Sequence, residues 1–317
     1  MFNKLIIAVL IFCACKGVQK DVHMMVQPGD NSLNITVKGE YLGQEKPGLT
    51  PVIFAPGIVS TDRNEVNSVF NPEGDEFYFS MFVPGKGYRI MQMKETGNGW
   101  TEPELISFSG IYSEVDVFLE PSGNKLFFSS KRPASRGDTP SAGYQIWMSE
   151  RDGTGWGEPV NTGPNINIGN RQLYPTLTKE GTLYFNSDCK GYGKGDFYKS
   201  EYNGKEYSKA INLGNSINTE YDETDVFIAP DESYLIFTSV GRPDGFGSGD
   251  LYISFKIEDG SWSKAVNMGE NINTESSEFC PVISPDGKYF FFTSERRGNN
   301  DIYWVDADII EEFKPHN

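Results

Sequence analysis

Four glutamates recur at one position of a repeated pattern. Glu65, Glu114, Glu223 and Glu278 each stand seven residues ahead of a tight-turn proline, and Asn67, Asp116, Asp225 and Cys280 follow them by two residues. Carboxylates gathered from separate segments can do one of three things. An unequal pair, one protonated and one ionised and roughly 5–9 Å apart, hydrolyses glycosidic bonds. Several converging oxygens suit a hard cation such as Ca²⁺. Or each carboxylate accepts hydrogen bonds from backbone N–H groups of the next connector and only holds it in place. In-register repetition favours this last role, because identical surroundings cannot split two pKa values; sugar chemistry and Ca²⁺ stay open. The histidines, His23 and His316, lie in the terminal segments, which leaves the body without a Ser-His or Cys-His nucleophile. No Cys/His spacing fits zinc, and no cofactor is expected.

The elements that position these acids are repeats. The turn block reads Pro72-Glu73-Gly74, Pro121-Ser122-Gly123, Lys179-Glu180-Gly181, Pro230-Asp231-Glu232 and Pro285-Asp286-Gly287, at spacings of 49, 58, 51 and 55 residues. A period of this length built from short strands predicts a propeller. An apolar strand precedes each turn and an aromatic run such as Phe290-Phe291-Phe292 follows it. A third strand begins Asp-apolar-Tyr in three copies, and a fourth leads into Asn/Gly-rich connectors. The fifth copy lacks its fourth strand, and residues 52–61 have the length and character of 265–274. The expected fold is therefore all-β: a five-bladed β-propeller over 49–310, closed by an N-terminal strand that completes the last blade, with a C-terminal tail at 311–317. The strand before each turn is the innermost, so the acids are expected to ring the channel mouth. Glu232 occupies a turn corner that favours Gly, so Glu232→Gly is expected to stabilise by roughly 1 kcal/mol.

Departures from the repeat concentrate in blades 2 and 3. Blade 3 has Gln172 and Tyr174 at the acid positions, with Arg171 beside them, and blade 2 has the longest loop between its second and third strands, at 131–143. Such loops share a face with the connectors, so Arg132, Arg136, Arg171, Gln172, Tyr174 and Tyr192, with Glu114 and Asp116, form a candidate patch for an anionic or sugar ligand. Arg132, Arg242 and Arg296 follow the second strand in three blades, and the recurrence favours ion pairs with blade acids for them over ligand binding. Glu65, Glu223, Asp225 and Glu278 are read as structural members of the ring.

The net charge of −16 repels nucleic acid and anionic lipid, so neither is expected as a partner. Lys4, the short apolar run 5–12 and Ala14-Cys15 resemble a bacterial lipoprotein signal (1–15). That resemblance implies lipidation of Cys15 and a partly disordered tether over 16–48. Eight apolar residues are too few to span a bilayer, so membrane contact is expected only through the lipid. The phrase Ile-Ser-Pro-Asp-Gly-Lys with Asp-Ile-Tyr downstream, and the connectors Asn-Leu-Gly-Asn-Ser-Ile-Asn-Thr and Asn-Met-Gly-Glu-Asn-Ile-Asn-Thr, resemble the TolB-like, WD-repeat-like propeller repeats of envelope lipoproteins from Bacteroidetes-type bacteria. The resemblance implies a monomeric, non-catalytic platform at the outer membrane for an envelope protein or polysaccharide. Five-bladed propellers resembling arabinanases imply the alternative, a glycoside hydrolase using channel-mouth carboxylates.

Overall fold

The computed structural model describes residues 37–134, 139–153 and 155–315. The expected leader, Cys15 and Arg136 lie outside the described residues. The rest forms five antiparallel sheets, each ordered from an inner strand outward. The inner strands are Glu65–Phe70, Glu114–Leu119, Gln172–Leu177, Asp222–Ile228 and Glu278–Ile283. Each packs beside the next, and the last beside the first, so the sheets ring an axis. The fold is a five-bladed β-propeller.

The turn chemistry explains the hairpins that join first and second strands. In the fifth blade Gly287 N–H donates to the Ser284 carbonyl at 2.8 Å, with Gly287 at φ 75°. A left-handed corner of this kind suits Gly. The second strands read as continuous apolar runs because they are buried on both faces between blades: Phe77, Tyr78, Leu126, Phe128, Tyr184, Phe185, Phe237 and Phe290 are all fully buried.

The fifth sheet takes its outer strand from the N-terminal side. Val52–Ile53 pairs antiparallel with Asp301–Asp306, in the register Val52↔Trp304 and Ile53↔Tyr303. Phe54 continues this edge, its N–H donating to the Ile302 carbonyl at 2.8 Å. Its ring packs 5.2 Å from Trp304 and 6.1 Å from Phe70, across the seam between the last blade and the first.

Residues 37–48 correct the expected tether. The turn Glu40–Gly43 buries Tyr41 and Leu42. Tyr41 lies 4.8 Å from the Tyr289 ring and donates to Asp286 at 2.7 Å. Trp100 donates its backbone N–H to Val37 and its indole N–H to Gly39. Polarity suggested a linker, but two apolar residues inside a short turn suffice to anchor it. The C-terminal turn Ala307–Phe313 likewise buries Ile309 and Ile310.

Glu232 holds the expected strained corner, at φ 58°, but its side chain is engaged. Its carboxylate accepts from Tyr184 Oη at 2.9 Å and Lys256 Nζ at 3.1 Å. The gain expected for Glu232→Gly is therefore offset by the loss of a buried tyrosine's partner, about 1 kcal/mol each way. Glu232→Gly is expected to melt within about 2 °C of the parent. Glu232→Ala keeps the strained backbone and loses the carboxylate, and should lose roughly 1–2 kcal/mol in urea titration. Equal stability of the two variants would refute this account.

Candidate functional site: the channel and its two mouths

Three glutamates of the ring hold their connectors, and Glu114 bonds Ser130 and Arg132 of its own blade. All four glutamates are at most 1% exposed. Glu223 accepts from the Thr219 N–H at 2.9 Å and from the Thr219 hydroxyl; Glu278 accepts from Thr274 N and Oγ1 at 2.7 and 2.8 Å; Glu65 accepts from Thr61 N and Oγ1 at 3.2 and 2.6 Å. In three blades a serine and an arginine complete the arrangement. Arg132 pairs with Glu114, Arg242 with Glu223 at 3.1 Å and Arg296 with Glu278 at 3.5 Å. Each guanidinium also donates to the blade's serine, Ser130, Ser239 or Ser294, and lies over an aromatic ring, Trp147, Tyr252 or Tyr303. A buried carboxylate is tolerated when paired and hydrogen-bonded in this way.

Blade 3 drops both partners together, with Gln172 for the glutamate and Cys189 where the three paired blades have arginine. Losing both avoids a lone buried charge. In blade 1 Met81 faces Glu65 where a serine stands in the paired blades, and burial pushes the Glu65 carboxyl up. The connectors are structural too. Asn167, Asn218 and Asn273 each bond both the N–H and the C=O of a third-strand residue, Ile146, Phe197 and Leu251.

Two residues further on, every inner strand bulges. Asn67, Asp116, Tyr174, Asp225 and Cys280 all have φ between 53° and 58°, and the ladder slips at each. A bulge re-aims a side chain; these five point toward the axis and pack together. Tyr174 crosses it: from blade 3, whose neighbours are blades 2 and 4, its hydroxyl reaches the Pro281 carbonyl of blade 5 at 2.9 Å. Val66, Val115 and Cys280 pack round it, covered by Tyr88, Tyr144, Leu173 and Phe279. Asp116 accepts from the Tyr174 N–H at 3.2 Å, and the Cys280 thiol lies 4.0 Å from Asp225. Burial, then repulsion from Asp225, pushes the Asp116 carboxyl well up. Burial raises Asp225 to about 6. Both carboxyls, 5% and 9% exposed, are thus held up by burial, and Asp116 also by Asp225.

The candidate patch is only partly assembled. Arg132, Gln172, Tyr174, Glu114 and Asp116 are buried. Arg171 is half-exposed, 4.0 Å from Asp222, and stands next to the cover over the aspartates. Tyr192 is 53% exposed and lines a separate groove of about 770 Å³ with Tyr198, Lys190 and Lys209. Among the described residues no group of three or more His, Cys, Asp or Glu is arranged to hold a metal ion, and no helix is long and apolar enough to cross a membrane.

Sequence reasoning did not reach the opposite mouth. On the hairpin face all five blades line a cavity of about 500 Å³, floored by Phe70, Leu119, Leu177, Phe227 and Val282.

No protein-family model matches the chain, and no curated protein sequence matches it. Among solved structures it is similar to one described as a glycoside hydrolase, with TM-score 0.53 and 12% identity over 89% of this chain and 93% of that one. It is similar to an endo-arabinase from Bacteroides thetaiotaomicron, with TM-score 0.52 and 14% identity over 83% and 97%. A TolB from Acinetobacter baumannii matches with TM-score 0.49 and 12% identity over 79% of this chain. The chain spans 54% of that TolB. Identities this low establish a shared propeller fold and nothing about chemistry.

Proposed function

We propose that the protein is a non-catalytic binding platform of the cell envelope, held there by a lipid on Cys15, and that it takes a glycan or protein ligand on the connector-face mouth. The observation that carries this reading is the makeup of that mouth. Its glutamates are buried and bond within their own blades, Glu114 through one oxygen, while half-buried Tyr88, Tyr144, Leu173 and Phe279 from four blades, with Arg171 at their edge, cover the axis. Lys131 lies 4.9 Å over the Tyr144 ring. Rigid aromatic side chains beside a guanidinium are the usual anchors of a binding surface.

A pull-down of envelope proteins and polysaccharides tests it. Tyr144→Ala and Arg171→Ala are each expected to weaken the captured ligand about tenfold or more. Capture unchanged in both variants would move the site elsewhere.

A second reading, a glycoside hydrolase, is favoured by the buried, interacting carboxyls Asp116 and Asp225 from separate blades, since such chemistry uses two carboxyls, one of which stays protonated. A hydrolysis screen on plant and host polysaccharides separates the two. Turnover that vanishes in Asp116→Asn would establish the enzyme.

A further inference from the structure

We propose that the hairpin-face cavity is a second binding site, selective for a small organic cation with an apolar body and an ammonium end. The cavity lies on the opposite end of the channel from the mouth discussed above, and the Tyr174 layer separates the two. Its floor is apolar and buried: Phe70, Leu119, Leu177, Phe227 and Val282 are each at most 4% exposed. Half-buried Phe118, Tyr234 and Ile283 form the walls. About 500 Å³ is the size of a small-molecule site, and a largely apolar lining with few polar groups is its usual character.

The polar groups at the rim set the sign of the ligand. Glu120 and Asp231 both line the cavity; Glu120 accepts from the Ser122 hydroxyl, and Asp231 from the Ser233 hydroxyl and N–H. Neither takes part in a salt bridge among the described residues. Among the described residues no lysine or arginine lines the cavity: Lys125 pairs with Glu150 at 3.6 Å, Lys288 with Asp286 at 2.8 Å, and Lys179, whose N–H donates to the Pro230 carbonyl, stands outside the lining. Burial pushes Asp231 up, but the Ser233 hydrogen bonds outweigh it and hold the carboxyl below its ordinary range. Two carboxylates without a cation thus border an apolar funnel. An apolar body fills the floor and a positive end meets the rim, with attraction strengthened by the low-dielectric wall. The chain's net charge of −16 adds long-range attraction of the same sign.

A matched pair of probes tests this. 4-Phenylbutylamine and 4-phenylbutyrate share an apolar body and carry opposite charges at pH 7. Calorimetric titration into the full chain should show the amine binding and the acid at least tenfold weaker. Glu120→Gln with Asp231→Asn, half-buried and exposed respectively, should reduce the amine's affinity about tenfold and bring the two probes together. Phe118→Lys, which places a cation in the wall, should abolish amine binding while the cooperative melt persists. No amine binding up to 5 mM (roughly the weak limit for so small a ligand), equal binding of both probes to the parent, or amine affinity unchanged by the rim variants would each overturn the proposal. None of these outcomes depends on the connector-face ligand.

Discussion

Deleting residues 49–60 is expected to abolish the cooperative thermal transition. The segment supplies Phe54, Ala55 and Val59, all fully buried, and the outer strand of the fifth sheet. Ser60 adds a hydroxyl that accepts from the Ile302 N–H at 3.1 Å. Without it the third strand of blade 5 becomes an open edge, and the aromatic seam that joins the last blade to the first loses its centre. Phe54→Ala alone should cost about 3–5 kcal/mol, against a total stability of roughly 5–15 kcal/mol for a domain, and lower the melting temperature by roughly 10 °C. The deletion removes several such residues at once and should exceed the total. Calorimetry on the parent, the point variant and the deletion reads this directly. A truncated chain that melts with undiminished cooperativity at the parent's temperature would show that the ring does not depend on this strand.

The second large effect concerns pH. Asp116 and Asp225 have folded-state pKa values raised above the ordinary carboxyl value of 3.8, Asp225 to about 6 by burial and Asp116 by burial and repulsion from Asp225. A raised acid keeps its proton in the folded state where the unfolded chain has released it. The folded state therefore binds more protons between pH 4 and the folded values, and stability falls as pH rises through that window. Below pH 4 both states are protonated and the penalty vanishes. For Asp225 alone the shift corresponds to roughly 2–3 kcal/mol above pH 6. Asp225→Asn is expected to recover much of this at pH 7.5 and little at pH 4. Asparagine fits the site, since Asn67 already holds the same left-handed position in blade 1. The groups facing the pair are Arg171, Asp222, Tyr88, Tyr144, Tyr174 and Cys280. They are common to parent and variant, and removing the Asp225 charge also relieves Asp116, so the difference between the two urea-unfolding curves reads the coupled pair. Parallel stability profiles from pH 4 to 7.5 would show that Asp225 ionises in the folded protein as it does in the unfolded chain.

The repeated residues were largely readable. The tight turns and the buried aromatic strands recur in every blade and the Glu–Arg pairs in three, and a residue that returns at the same place in a repeat does the same job. Thr219 and Glu223, four residues apart, meet because a short connector returns to its own strand. The N-terminal strand was legible for the same reason, as the missing piece of a pattern. The departures were harder. Gln172, Tyr174 and Arg171 stood out, but the sequence could not say which faces the mouth and which the axis. The slip of register at Tyr174 turns its ring inward, and only the backbone shows a bulge with φ 54°. Reading Tyr41 and Leu42 as tether failed because their partners, Phe70, Tyr289 and Phe291, are distant in sequence.

By itself the chain's order of residues determined the blade. Turns, alternation and neighbouring ion pairs act over a few residues to a few tens, and that range is written contiguously. Tertiary structure alone decided what fills the axis. Whether Tyr174 reaches Pro281, whether Asp116 feels Asp225, and how wide a space five hairpins leave depend on the number of blades and the radius of their ring. No stretch of the chain contains those quantities, because each arises from side chains that meet only after all five sheets have packed.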